Sequence, residues 1–182
     1  MRVDEAQAQI REAFVRGGPG AAVSGAVWLA TAAVYQAGGP ATAFAALFIG
    51  GVFIFPVSAL VCKLAFGRSA SVAGNPLGLL CLESTIAMIG CLLAAWLLLG
   101  DRPDLAFAIA AIAVGLHYFA FKTAYGDRSF WLLGTIVTAI GCAGVFLSRG
   151  QTLPLIYAVA VVELVFGVVL TARGRQRRPI AG

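Results

Sequence analysis

Long apolar runs separated by short polar segments dominate the sequence. Residues 17–62 carry no charged side chain, and residues 69–100 carry only Glu83. A helix needs about 20 predominantly apolar residues to cross a hydrocarbon core of roughly 30 Å, so these runs suffice for several crossings. The pattern predicts an all-α, polytopic membrane protein that forms a six-helix bundle.

Glycine and proline residues divide the apolar sequence into six predicted spans. Gly38-Gly39-Pro40 ends the first span as a tight turn, and Pro56 is expected to kink the second because it removes one backbone donor. The predicted spans cover about residues 21–37, 42–66, 76–99, 105–121, 130–147 and 154–172. Residues 1–182 are expected to form a single membrane domain.

The two flanking segments are rich in charged residues. Residues 3–16 place Val3, Ile10 and Phe14 near one helical face, which predicts a short amphipathic helix at the membrane interface. A cleavable signal peptide is the less favoured alternative because this segment contains three acids. Residues 173–182 form a basic tail, interpreted as a topology signal rather than as a site for anionic lipid headgroups.

The composition agrees with a membrane protein. The residues AVILMFWYC make up 60% of the chain and charged residues 12%, with a mean hydropathy of +0.93, whereas soluble domains have about 45–50% apolar and about 25% charged residues. A soluble enzyme, a disulfide scaffold and a disordered chain are therefore excluded. The net charge of +5 does not indicate a nucleic-acid partner, since the basic residues flank apolar segments.

The sequence predicts no cofactor and no metal site. The four cysteines lie in apolar segments without a CxxC pair, and there is a single histidine, whereas zinc sites need clustered ligands. The cysteines are most simply small packing residues.

The distribution of lysine and arginine predicts the orientation in the lipid bilayer. With a cytoplasmic N-terminus, eleven of the 13 basic residues lie inside and two, Arg102 and Arg149, lie outside. Both termini are therefore expected in the cytoplasm.

Three titratable side chains, Glu83, His117 and Glu163, lie well inside predicted spans. A carboxylate at a helix centre costs about 2.5–3.5 kcal/mol on insertion scales, so each group is expected to face protein or water. Small residues on the same helical faces favour this, because they let helices approach closely in lipid. They are Ala87, Gly90, Cys91 and Ala94 beside Glu83, Ala106, Ala110, Ala113 and Ala120 beside His117, and Ala160, Gly167 and Thr171 beside Glu163.

The rise of about 1.5 Å per residue places Glu83, His117 and Thr135 at a similar depth in the cytoplasmic third, with Glu163 nearer the midplane. The other candidate residues are Ser84, Thr85, Tyr118 and Thr138. A carboxylate and an imidazole at one depth, with hydroxyls nearby, could relay protons or bind a cation or a small polar solute. The alternative is that these groups hydrogen-bond between helices and fix their packing.

The leading hypothesis is therefore transport or conduction of a small solute or ion through a cytoplasm-side polar site around Glu83 and His117, with proton coupling as an option. The first alternative is a non-catalytic membrane subunit, sensor or assembly protein. A lipid-modifying enzyme with Glu83 and His117 as acid and base is less favoured, because no nucleophile or metal signature is present. The small-residue faces also permit a homo-oligomer.

Spans three and six both begin with a proline and carry a glutamate within ten residues, at Glu83 and Glu163. With three spans in each half, this is the parity of an inverted repeat, although the same parity holds for any six-span protein.

Short motifs rich in glycine, proline and polar residues occur between residues 17 and 131. They are Gly17-Gly18-Pro19-Gly20 before Ser24-Gly25 and Trp28, Phe55-Pro56-x-Ser58, Gly74-Asn75-Pro76-Leu77, Leu82-Glu83-Ser84-Thr85, and Tyr125-Gly126-x-Arg128 with Trp131. Together they resemble an uncharacterised family of small bacterial membrane proteins, a domain of unknown function, over nearly the whole chain. The resemblance implies a multi-pass protein of the bacterial inner membrane and assigns no catalytic residue.

Overall fold

Several of the long helices have a proline in their first turn. Pro76 opens the third α-helix behind Asn75, whose side chain accepts a hydrogen bond from Leu77 N–H at 3.0 Å, as an N-cap residue does. Pro103 likewise lies in the first turn of its helix.

The computed structural model describes residues 1–147 and 151–175, and every regular element within them is helical. The helices are α1 (Val3–Ala13), α2 (Gly18–Phe66), α3 (Pro76–Trp96), α4 (Pro103–Tyr125), α5 (Ser129–Leu147) and α6 (Thr152–Arg175), with a 3-10 turn at Val15–Gly17. The predicted all-α bundle is confirmed. Arg149 and most of the predicted basic tail, residues 176–182, lie outside the described residues.

α2 is bent into two arms at Gly39. A straight helix of its 49 residues would be about 74 Å long, more than twice the thickness of a hydrocarbon core. Gly39 has non-helical angles (φ 78°, ψ −178°) and precedes Pro40. A Cβ on Gly50 would lie 2.7 Å from Val27 Cγ1, so residues 18–38 (the first arm) and 40–66 (the second arm) lie side by side.

Five helices are long and apolar enough to cross a membrane, with the bent α2 counted once. The first two predicted spans occupy the two arms of α2, and the other four occupy α3, α4, α5 and α6. The glycine and proline pattern thus divides the apolar sequence at the positions where the helices bend or end.

Two helix pairs approach so closely that a glycine is required. A Cβ on Gly167 of α6 would lie 2.6 Å from Ala22 N of α2, and one on Gly115 of α4 would lie 2.5 Å from Thr138 N of α5. Such backbone proximity is typical of small residues at membrane helix contacts. The first arm of α2 is therefore packed tightly on α6, and α4 is packed tightly on α5.

The predicted amphipathic helix α1 is present and lies across one end of the bundle. Its buried residues are Ala6, Ile10 and Ala13. Hydrogen bonds run from Gln7 Nε2 to Thr123 O (2.8 Å), from Arg11 Nη1 to Tyr125 O (2.6 Å) and from Asn75 Nδ2 to Ala6 O (2.9 Å). α1 therefore joins two connections predicted to be cytoplasmic, the one before α3 and the one after α4.

A buried ion pair anchors this end of the bundle. Arg16, just before α2, pairs with Asp127 in the connection between α4 and α5, and the two side chains are 20% and 8% exposed. Burial acts to raise the pKa of Asp127, but hydrogen bonds from Ser129 and Arg16 outweigh it, so the pKa lies below its ordinary value of 3.8. Asp127 is therefore expected to be ionised at neutral pH.

Candidate functional site

A buried carboxyl lies at the centre of α6. Glu163 is fully buried, eleven residues after Thr152 and twelve before Arg175. The backbone of α6 is held against α2 through Gly167, and Glu163 points into the contact between α6, α4 and the first arm of α2. The prediction that Glu163 faces protein is confirmed.

The carboxyl of Glu163 is only partly satisfied. Tyr118 of α4, itself 4% exposed, donates its hydroxyl hydrogen to Glu163 Oε1 at 2.8 Å. The Ser24 hydroxyl of α2 lies beside the same carboxyl. The second oxygen, Oε2, is buried and has no hydrogen-bond partner among the described residues in this arrangement. Most buried polar atoms are hydrogen-bonded, so Oε2 is an exception that needs an explanation.

A second polar pair links α3 to α4. Ser84 Oγ lies 2.5 Å from His117 Nδ1, and the same hydroxyl lies 3.4 Å from the backbone oxygen of His117. Both side chains are half-buried. The imidazole also packs edge-on against Phe121, with ring centroids 4.4 Å apart. The pair fixes α3 against α4.

Glu83 lies on the outer surface, and the expectation that it points into the bundle is wrong. It is exposed and makes no hydrogen bond or ion pair with the part of the chain that the structure describes. Successive helical residues are about 100° apart around the axis, so docking Ser84 on α4 turns Glu83 away. The small residues aligned with Glu83, namely Ala87, Gly90, Cys91 and Ala94, are exposed as well.

The remaining candidate residues do not join one site. Thr135 is exposed on α5, and Thr85 donates to Cys81 O of its own helix at 2.8 Å. Thr138 packs against Gly115, and its buried Oγ1 has no hydrogen-bond partner among residues 1–147 and 151–175. The eight candidates therefore give two separate pairs, Tyr118 with Glu163 and Ser84 with His117. The two pairs adjoin on α4, where His117 and Tyr118 are consecutive residues and their ring centroids lie 6.1 Å apart.

Sequence reasoning missed the contacts that hold α1 and the connections together. Asn75 caps α3, yet its amide also donates to Ala6 O and Gln9 Oε1 of α1. Arg16 and Asp127 are 111 residues apart in the chain. A local pattern carries no signal for such pairings.

Five apolar helices of membrane-spanning length, with buried polar pairs between them, define the class: a helical membrane protein. Within that class, a family model matches residues 3–173, and the chain belongs to this family, described as a family of unknown function (DUF7010). The resemblance to an uncharacterised family is thereby confirmed. No curated protein and no solved structure matches the chain.

Proposed function

We propose that the protein is a multi-pass transporter of the bacterial inner membrane that moves a small solute or ion, with both termini in the cytoplasm. In this proposal Glu163 is the group that binds and releases a proton. The observation that carries it is the buried carboxyl of Glu163, whose Oε2 is unpaired while Oε1 accepts from Tyr118.

The unpaired oxygen supports a chemical role for Glu163 over a role in helix packing alone. An ionisable residue inside a span is costly and by default marks an ion pathway or a proton relay. A carboxyl kept only for helix packing is expected to use both oxygens, because an unsatisfied buried acceptor costs about 1–3 kcal/mol. Glu163 uses one, which leaves Oε2 for a proton, a cation or a polar group of the solute.

α4 is the element that couples this group to the rest of the bundle. Tyr118 binds Glu163 on α6, while the preceding residue, His117, binds Ser84 on α3. A movement of α4 relative to α6 would break the Tyr118 hydrogen bond and change the access to Glu163. Such rocking of helices about a fixed central site is how many transporters alternate access.

The test is proton flux in proteoliposomes that contain a pH-sensitive dye, driven by a membrane potential and a pH step. We expect the wild-type protein to conduct above the level of empty liposomes and Glu163→Gln to fall to that level. Glu83→Gln is the matched control, since it removes a carboxyl from another span at an exposed position, and it should keep the wild-type flux.

Two results would contradict the proposal. Wild-type flux equal to that of empty liposomes would contradict proton transport, and unchanged flux in Glu163→Gln would contradict the role of Glu163. Infrared difference spectra give a second measurement, because the carbonyl band that the protonated Glu163 carboxyl contributes should be present in Glu83→Gln and absent in Glu163→Gln.

The second candidate function is a non-catalytic membrane subunit, sensor or assembly protein. The direct hydrogen bond between Tyr118 and Glu163 favours it, since such a bond also fixes helix packing. It predicts that Glu163→Gln lowers thermal stability and leaves flux at the level of empty liposomes for every variant. A lipid-modifying enzyme has less support, because Ser84 rather than Glu83 contacts His117.

A further inference from the structure

A polar cavity lies where α1 meets the connection between α2 and α3. Its volume is about 380 Å³, within the roughly 300–1,000 Å³ range of ligand pockets. Its polar groups come from Gln9 and Glu12 of α1 and from Arg68, Ser69 and Ser71 of the connection. None of these residues belongs to the two pairs described above, so the cavity is separate from the candidate site.

Arg68 has hydrogen-bond donors to spare in the wall of this cavity. Its side chain is 19% exposed, and its one side-chain hydrogen bond to the described residues runs from Nη1 to Glu12 Oε1 at 3.3 Å. A guanidinium has five N–H donors, so this contact uses only one of them. Glu12 is 63% exposed, and ion pairs so open to water are weak. A ligand can therefore replace either partner of this pair.

Most of the other polar groups in the cavity are also donors. Gln9 Oε1 accepts from Asn75 Nδ2 at 2.7 Å, and Ser69 Oγ donates to Ser71 O at 3.3 Å. The amide hydrogens of Gln9 and the hydroxyl of Ser71 have no partner in the part of the chain that the structure describes. These donors favour an oxyanion, while the carboxylate of Glu12 favours a cation close to it.

The cavity lies beside an apolar surface that suits lipid chains. Leu64, four residues before Arg68, is 74% exposed. Phe14, just after α1, packs on Phe55 of the second arm, which is 64% exposed, with ring centroids 6.1 Å apart. Arg68 closely follows the uncharged residues 17–62, and basic side chains at the end of an apolar run lie at the membrane interface. The cavity is therefore at the level of lipid headgroups.

We propose that this cavity binds the phosphoethanolamine headgroup of a membrane lipid. The phosphate lies against Arg68 and the hydroxyls of Ser69 and Ser71, and the ammonium group lies against Glu12. The lining contains one cation and one anion, which matches a headgroup that carries one charge of each sign. The bound headgroup joins α1 to the connection in place of the exposed ion pair.

The lining favours ethanolamine over other headgroups. A choline group has no N–H to donate to Glu12, and its quaternary ammonium is recognised by aromatic rings, whereas none of the described residues that line the cavity is aromatic. A glycerol headgroup carries no cation, so it would leave the carboxylate of Glu12 beside the lipid phosphate without a counter-charge. Ethanolamine supplies a primary ammonium, which both neutralises Glu12 and hydrogen-bonds to it.

Native mass spectrometry of the full chain in detergent tests this preference. The delipidated wild-type protein is mixed with equal concentrations of dioleoyl phosphatidylethanolamine, phosphatidylcholine and phosphatidylglycerol. We expect phosphatidylethanolamine to be retained about tenfold more than either of the others, the effect of one hydrogen bond to a charged group. Equal retention of the three lipids would overturn the proposal.

Two substitutions separate the phosphate contact from the ammonium contact. Arg68→Gln should lower the retention of phosphatidylethanolamine about tenfold. Glu12→Gln should instead let phosphatidylglycerol bind as well as phosphatidylethanolamine, because the carboxylate that opposes an anionic headgroup is gone. Arg102→Gln and Asp4→Asn are the matched controls, since each removes the same charge from an exposed position outside the cavity. Both should keep the wild-type preference.

Soluble phosphoethanolamine tests whether the headgroup belongs to a lipid. At the same concentration as the lipid it should not displace phosphatidylethanolamine, because it lacks the chains that cover the apolar surface near Leu64. Full displacement would mean that the occupant is a free solute and not a lipid. Unchanged retention in Arg68→Gln, or an equal loss in Arg102→Gln, would show that the cavity is not the binding site. Glu163→Gln should retain lipid as the wild-type protein does, so the result is independent of the transport proposal.

Discussion

α3 and α6 are both apolar helices with one glutamate, yet the two carboxyls have opposite surroundings. Glu163 is fully buried between α6, α4 and α2, whereas Glu83 is exposed. Both helices carry small residues beside the glutamate. The difference comes from the neighbours: α6 has the first arm of α2 against Gly167, and α3 has no described residue within 4 Å of a Cβ on Gly90. A glutamate beside small residues therefore does not by itself show whether the rest of the chain covers that side of the helix.

The largest expected difference comes from adding one methyl group to a glycine of α6 and, for comparison, to a glycine of α3. Gly167→Ala places a Cβ 2.6 Å from Ala22 N, a backbone atom that cannot give way. We expect a loss of about 3 kcal/mol or more in stability, at the upper end of overpacking costs. Gly90→Ala meets no atom within 4 Å and should leave the stability of the monomer unchanged or slightly higher.

Thermal unfolding followed by tryptophan fluorescence in detergent measures both variants. If the two substitutions had equal effects, the contrast between a covered α6 and an open α3 would be wrong.

The division of the chain into helices could be predicted from the sequence, because its signals are local. Asn75-Pro76 begins α3 and the Gly39-Pro40 step bends α2 where expected. The inward side of α6 was predicted correctly for Glu163.

The face of α3 could not be predicted in the same way. α3 is apolar all round, so hydropathy does not distinguish its covered side from its open side. The small residues beside Glu83 indicate close helix packing, but the same stripe would serve a contact inside the chain or one between copies. The assignment of Glu83 to a site with His117 relied on equal depth. Equal depth leaves the rotation of each helix about its axis undetermined. In the structure Ser84, and not Glu83, contacts His117.

A second prediction compares the connection after α4 with the start of α3. The Arg16–Asp127 pair anchors the connection after α4, whereas uncharged Asn75 anchors the start of α3. Asp127→Asn should cost about 2 kcal/mol, below the roughly 3–5 kcal/mol of a fully buried pair, because Arg16 keeps 20% exposure. The Asn75 contacts carry no titratable group and should not respond to acid.

The pH dependence follows from the lowered pKa of Asp127. The stabilisation is fully present above the ordinary value of 3.8 and is lost as the pH falls through the lower pKa of the folded state. Unfolding temperatures measured between neutral pH and about pH 2 should therefore fall more steeply for the wild-type protein than for Asp127→Asn. Parallel curves would mean that the ion pair contributes little to stability.

The smallest expected effects concern the two hydrogen bonds made by consecutive residues of α4. Tyr118→Phe removes the hydrogen bond that Oε1 of the fully buried Glu163 accepts and should destabilise by about 1–3 kcal/mol, since a buried acceptor then loses its donor. Ser84→Ala removes one hydrogen bond from His117, which is half-buried rather than fully buried, so about 1 kcal/mol or less is expected. Unfolding temperatures of the two variants measure the order. A greater loss in Ser84→Ala would mean that the contact between α3 and α4 holds the bundle together more firmly than the buried carboxyl of α6 does.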